Sequence, residues 1–272
     1  MSRCTTTSTT WELVGDGRVG NAIKRMVETN QAYTVVYERG QRVSERRDGP
    51  VLVCTRAEAL SDVWKQTPER RKKDLCFLQN GAIETWLRDH QLKRNTRVAL
   101  YMSATVDEQG NVHVEDGRRT VVTGPYRNQL CQLLNRGGVS CRTVERGEFQ
   151  TVAAEKMLWG CVFWLISTAN GGCDVGTVAR NHRQAVVELV DELYPMTPSW
   201  DEMPRMETKQ VVENLCSYSL DIQHAVPSPT MALQEWPWRN GWFWEQQPTE
   251  KHAEWLCKAA LCLPELREKI KP

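Results

Sequence analysis

At 272 residues the chain is long enough for one large or two ordinary domains, which excludes the small scaffolds that depend on disulfides or metals for a core. Thirty-five Lys and Arg against 34 Asp and Glu leave a net charge of +1, so no global charge draws it to nucleic acid or an anionic membrane. Apolar residues at 40% and charged residues at 25% describe a globular protein, with 11 Trp against 4 Phe as its one compositional oddity.

Residues 1–10 are polar, Thr-rich and free of acids. They read as a flexible tail on a cytoplasmic protein, with room for a short organellar leader. Trp11–Val14 then reads as a strand entering Gly15-Asp16-Gly17-Arg18-Val19-Gly20, after which Ile23, Met26 and Val27 fall at helical spacing. Tyr33–Tyr37 is β-branched and aromatic, and 50–54 is a short buried-type run followed by helical spacing from Ala57 to Trp64. Strand signals continue at 75–78, 98–101 and 121–123, with helices after Gly81 and around 126–135. Alternating β and α elements imply a doubly wound, mainly parallel sheet over residues 11–147.

Beyond Phe149 the strand signals stop, and helical periodicity runs over 152–169, 175–194, 203–219 and 249–271. The fold class expected is therefore α/β, a Rossmann domain at 11–147 followed by an all-helical substrate or dimerisation domain at 148–272. The arginine-lysine run Arg70–Lys73 reads as a solvated loop and not as a nucleic-acid patch.

Ten Cys contain no C-x-x-C pair, and the five His at 90, 113, 182, 224 and 252 stand apart from one another. Reduced thiols and no metal site are expected. The longest apolar run, Met157–Ile166, has 10 residues against the roughly 20 needed to span a bilayer, so no transmembrane helix is expected.

Gly15-x-Gly17-x-x-Gly20 between a strand and a helix is the pattern of a dinucleotide-binding turn. The first Gly makes the turn, the second lets backbone approach the pyrophosphate, and the third packs helix on strand, with Arg18 and Val19 in the same loop. Glu38, at the end of the second strand, suits the ribose hydroxyls of NAD, whereas Arg39, Arg42, Arg46 and Arg47 behind it suit the 2′-phosphate of NADP. On the residues alone, both cofactors stand.

Several segments resemble the ketopantoate reductase family, within the larger 6-phosphogluconate dehydrogenase-like group. Leu78-Gln79-Asn80-Gly81 is similar to the family's Q-N-G, Val53-Cys54-Thr55-Arg56 to a strand end that usually carries Lys, and Thr123-Gly124-Pro125 to a late glycine-proline turn. Lys156 resembles the family's catalytic Lys on the long helix, and Glu235-Trp-Pro-Trp-Arg-Asn240-Gly241 its E-x-x-x-x-N-G. The resemblance implies a Rossmann domain, a helical domain and reduction of a 2-keto acid, with NADP slightly favoured. Lys156 would be the general acid, with Asn80 and Glu235 orienting and with Asn80 and Arg56 at the cofactor. The chain departs where the family places Asn residues four and eight positions after the Lys, carrying Gly160 and Trp164 instead. These two, with Ser228 and Asn240, are the weaker substrate-site candidates, while Trp236, Trp238, Trp242 and Trp244 read as buried packing.

The function expected is an NAD(P)-dependent oxidoreductase acting on a small carbonyl or hydroxy-acid substrate, with neither nucleic acid nor membrane as partner and a homodimer through the helical half. The alternative, from another class, is a non-catalytic NAD(P)-binding sensor or scaffold that keeps the fold.

Overall fold

A computed structural model describes residues 10–109, 112–198 and 206–271. The tail expected at 1–10 lies outside these residues except for Thr10, which is the first residue of a strand, and residues 203–205 of the third expected helix also lie outside. Contacts divide the chain into two units, Met1–Gln79 with Trp86–Phe149, and Asn80–Thr85 with Gln150–Pro272. The boundary read near Gly147 thus has a second component: six residues from within the first half pack with the helical unit.

The first unit is a mixed sheet with helices. In chain order come β1 (Thr10–Val14), α1 (Arg18–Thr29), β2 (Tyr33–Tyr37), β3 (Val51–Val53), α2 (Leu60–Gln66), β4 (Leu75–Phe77) and α3 (Glu84–Asp89), whose first residues belong to the other unit. There follow β5 (Thr96–Ala99), β6 (Met102–Val106), β7 (Val112–Asp116), β8 (Thr120–Thr123), α4 (Arg127–Arg136) and β9 (Cys141–Thr143). The large sheet has the order β2-β1-β3-β4-β5-β8-β9. Every pairing in it is parallel except β5 with β8.

That exception corrects the simple β/α alternation. Between β5 and β8 the chain inserts the β6–β7 hairpin instead of a crossover helix, so β8 returns antiparallel. The hairpin alternates half-buried and exposed residues, and Gln109 N–H donates to Asp107 Oδ1 at 3.0 Å to start its turn. Leu13, Ile23, Val27, Leu52, Val98, Val122, Leu130 and Leu134 form the core under α1 and α4.

Strand alternation turns Glu12 to the other face, where it is 1% exposed. Arg71 meets it there, fully buried, and corrects the reading of Arg70–Lys73 as a solvated loop. Its Nη2 donates to Glu12 Oε2 at 2.7 Å, its Nε to Asp74 Oδ2 at 2.8 Å, and its Nη1 to the Ser44 carbonyl at 2.8 Å. Tyr37 Oη–H donates to the other oxygen of Glu12, and Tyr126 Oη–H to Asp74 Oδ1 at 2.6 Å. Local charge density suggests solvation. Only the sheet brings the two carboxylates to one guanidinium.

The helical unit contains α5 (Arg146–Ala169, counted from its start in the first unit), α6 (Val175–Asn181), α7 (Arg183–Leu193), α8 (Thr208–Asp221), α9 (Pro229–Gln234), α10 (Asn240–Gln246) and α11 (Glu250–Cys262). The helix expected over 175–194 is two helices with His182 at their junction. Asp174 caps α6 by accepting the Thr177 N–H at 2.6 Å. By length and composition α5 could cross a membrane, because helix continues on both sides of the apolar run counted from the sequence. Leu158, Cys161, Val162, Phe163, Leu165 and Ile166 are nonetheless fully buried in one core with α6, α7, α8 and α11. α5 is the core helix of this unit, and each such side chain contributes about 1.5–3 kcal/mol. All nine cysteines among the described residues are free thiols.

Candidate functional site

In the first unit, the turn after β1 has the geometry that its three glycines suggest. Gly15 sits at φ +99°, and a Cβ there would meet Thr55 Cγ2 at 2.9 Å. A Cβ on Gly20 would lie 2.2 Å from the Gly15 carbonyl oxygen, so only hydrogen lets α1 seat against the turn. Gly17 has nothing within 4 Å of a Cβ, which leaves open space beside the first amides of α1. That helix begins with no side-chain cap and no acid in its first turn, so its N-terminal N–H groups and dipole face the space. Arg18 is exposed and Val19 half-buried against the core.

A cleft of about 270 Å³ adjoins the turn, lined by Gly15, Asp16, Gly20, Asn21, Lys24, Val36 and Glu38. Of the charged residues after β2 it is Glu38 that lines this cleft, while Arg39 is exposed beyond it. Lys24 was not singled out from the sequence. Its position four residues after Gly20, on the same helical face, is the signal that could have found it. Arg56 follows β3, exposed and ion-paired to Glu58 at 2.7 Å. Gln79, after β4, donates from Nε2 to the Val53 and Thr55 carbonyls, both at 2.9 Å. These residues all follow the carboxyl ends of neighbouring parallel strands, where ligands of open α/β sheets bind.

In the helical unit a second cluster forms around Lys156. Asn80 belongs to this unit, and Lys156 Nζ donates to its Oδ1. The next two residues fix Asn80 in place: Gly81 has φ +86°, a Cβ there would lie 2.1 Å from the Trp238 carbonyl oxygen, and Ala82 N–H donates to that oxygen at 2.8 Å. Trp238 therefore seats the Asn80 turn, through its backbone. Glu235 pairs with Arg239 four residues on, across the short turn Trp236–Trp238, and Arg239 Nη1 lies 3.5 Å from the Gly160 carbonyl. Burial pushes the Lys156 ammonium down to about 7, the Arg239 charge pushes it the same way, and Glu235 partly offsets them.

The weaker candidates fall elsewhere. Trp164 is 2% exposed in the helical core, and its indole N–H finds no hydrogen-bond acceptor among the described residues. Asn240, also 2% exposed, accepts from His252 Nε2 at 3.0 Å and donates to the Cys161 carbonyl at 3.3 Å. Both its polar ends serve the core. Ser228 is exposed and caps α9, accepting the Met231 N–H at 3.3 Å. Trp236 is buried, and Trp242 and Trp244 pack partly buried on the same core. Gly160 is in the cluster, but through the side chain it lacks: a Cβ there would lie 2.7 Å from Arg239 Nη1. Arg239 is the site residue that sequence reasoning passed over. The i, i+4 spacing from Glu235 was its visible signal.

A sheet domain with a glycine turn at its first strand, followed by a helical unit, defines the fold of the two-domain Rossmann-type proteins. Among solved structures, D-mandelate dehydrogenase with NADH and anilino(oxo)acetate is similar, with a TM-score of 0.70 at 11% identity, covering 95% of this chain and 100% of that one. A dimeric ketopantoate reductase from Staphylococcus aureus has a TM-score of 0.63 at 12% identity, covering 96% and 99%. A ketopantoate reductase from Ralstonia eutropha JMP134 has 0.64 at 14%, covering 97% and 100%. At these identities the likeness shows the fold. No protein-family model and no curated protein matches the sequence.

Proposed function

We propose that this protein is an NAD(P)-dependent oxidoreductase that reduces a 2-keto acid or a similar small carbonyl compound, with Lys156 as general acid. The observation that carries this is the Lys156–Asn80 pair, a lysine poised near pH 7 and oriented by one fixed amide oxygen. Hydride addition to a carbonyl builds negative charge on oxygen, and a neighbouring donor near neutrality is what that oxygen requires. Asn80 holds the ammonium in place, and Glu235 with Arg239 sets the field around it.

The first unit fits a dinucleotide. The open space at Gly17, the uncapped start of α1 and the cleft with Glu38 and Lys24 support this reading, as room for a pyrophosphate and an adenosine. When bound, the nicotinamide supplies the hydride. Glu38 in the cleft lining supports NAD, through the ribose hydroxyls, over NADP. The structurally similar D-mandelate dehydrogenase with NADH and anilino(oxo)acetate and the ketopantoate reductase from Staphylococcus aureus support the carbonyl chemistry.

The test is a titration with NADH and with NADPH, followed by turnover on a panel of 2-keto acids, for wild type, Gly17→Trp and Lys156→Met. Gly17→Trp should fill the cradle and lose cofactor binding. Lys156→Met should keep binding and lose about 10²-fold or more in turnover. Cofactor binding together with turnover indifferent to Lys156→Met would exclude the acid role, and absence of turnover in every form would favour the non-catalytic sensor.

A further inference from the structure

On the face of α5 that carries Lys156, position 160 has no side chain, and the Arg239 guanidinium fills that space. Nη1 would stand 2.7 Å from a Cβ at 160, and Cζ 3.4 Å from it. Glu235 holds the other end of the fork at Nη2. The two side chains are 17% and 13% exposed, so the pair is largely withdrawn from solvent without being fully buried. A guanidinium carries five N–H donors, and the contacts with Glu235 and Gly160 engage two.

The formal charges of the cluster do not balance. The charges acting on Lys156 are those of Arg239 and Glu235, so with the ammonium protonated these three groups and the neutral Asn80 carry a net charge of +1 in a largely buried place. A ligand with one negative charge would neutralise it, and a planar carboxylate matches the guanidinium fork as no point anion does. We propose that Arg239 is the carboxylate-holding, specificity-determining residue of this site, and that position 160 is glycine because any side chain there would displace it. The ligand class is a small 2-keto or 2-hydroxy monocarboxylate, its carboxylate on Arg239 and its carbonyl oxygen toward Lys156. The naming of the ligand rests on the reductase reading, whereas the anion-holding role does not.

Calorimetry with oxamate and with oxamide, the same skeleton with its carboxylate amidated, separates the two claims. It is done with and without saturating NADH or NADPH. Wild type should bind oxamate about tenfold or more tightly than oxamide. Arg239→Met should lose that preference with cofactor affinity unchanged, Arg239→Lys should keep part of it, and Gly160→Ala should weaken oxamate by moving the guanidinium. Should Arg239→Met fail to fold, Arg239→Lys and Gly160→Ala carry the test. Unchanged oxamate affinity in both of those would overturn the proposal, as would a wild type that does not distinguish the two probes, or loss of oxamate in Lys156→Met but not in Arg239→Met. Arg239-dependent oxamate binding in a protein that binds neither cofactor would leave this inference standing and remove the reductase reading.

Discussion

A lysine held near pH 7 is an acid only on one side of that value. On the proposed role of Lys156 the ammonium must be protonated for reduction, so the rate should fall as pH rises through about 7, while the reverse oxidation should gain over the same interval. Arg239 is one cause of the depression, and Arg239→Met should move the limb to higher pH, as read from pH–rate profiles in both variants. Gly81 bears on the same site through the backbone. Alanine there would meet both a left-handed φ and the Trp238 carbonyl, and should cost about 3 kcal/mol or more by chemical denaturation, with Asn80 displaced and turnover lost. Gly172→Ala, at φ +81° but in open space, is the control and should cost about 1 kcal/mol. An equal loss in the two variants would mean that the Trp238 contact contributes nothing.

At the level of elements, the loop between β2 and β3 is anchored from beneath. Arg71 donates to the carbonyls of Ser44 and Gly49 as well as to Glu12 and Asp74, so one buried cation ties β1, the loop and the approach to β4 together. Arg71→Met would strand two buried carboxylates and should destabilise the protein by about 3–5 kcal/mol in urea denaturation. Arg70→Met, whose ion pair with Asp48 is exposed, should change stability by no more than about 1 kcal/mol. The sequence displays Arg70 and Arg71 alike. A strand period of 2 turns Glu12 under the sheet, yet nothing local says that residue 71 will reach it.

For the whole molecule, pH acts on stability through His252. Its ring is fully buried, with Nε2 bonded to Asn240 and no hydrogen-bond partner for Nδ1 among the described residues, and burial pushes it down to about 4 against Glu192, which pulls the other way. The folded protein therefore binds this proton less readily than the unfolded chain. Its contribution is complete above pH 6.5 and is lost as pH falls toward 4, on the order of 3 kcal/mol over the window. Glu192, which its own burial pushes up but the N–H groups of Lys251 and His252 hold below the usual carboxylate value, loses its contribution at more acid pH still. His252→Gln should keep a bond to Asn240 and flatten the fall in melting temperature between pH 6.5 and 4. A slope unchanged from wild type would assign that fall to other groups.

Local chemistry was enough to determine most strands and helices of the first unit, the glycine turn and the helical character of the second half, because periodicity, glycine and apolar runs act over a few residues. β6, β7 and β9 were missed: an exposed hairpin has only weak alternation to show, the three residues Cys141–Thr143 show none, and both take their register from pairing. Asn80, Lys156 and Glu235 were visible as separate residues in motifs. That they form one cluster, with Asn80 packed in the helical unit and Trp238 seating its turn, depends on contacts across some 75 to 160 positions of chain. Arg71 in the core, Asn240 bonded inward to His252 and Arg239 occupying the hollow at Gly160 were likewise decided by tertiary structure. In each, a polar group takes its role from the partner that burial forces on it, and burial is a property of the packed chain.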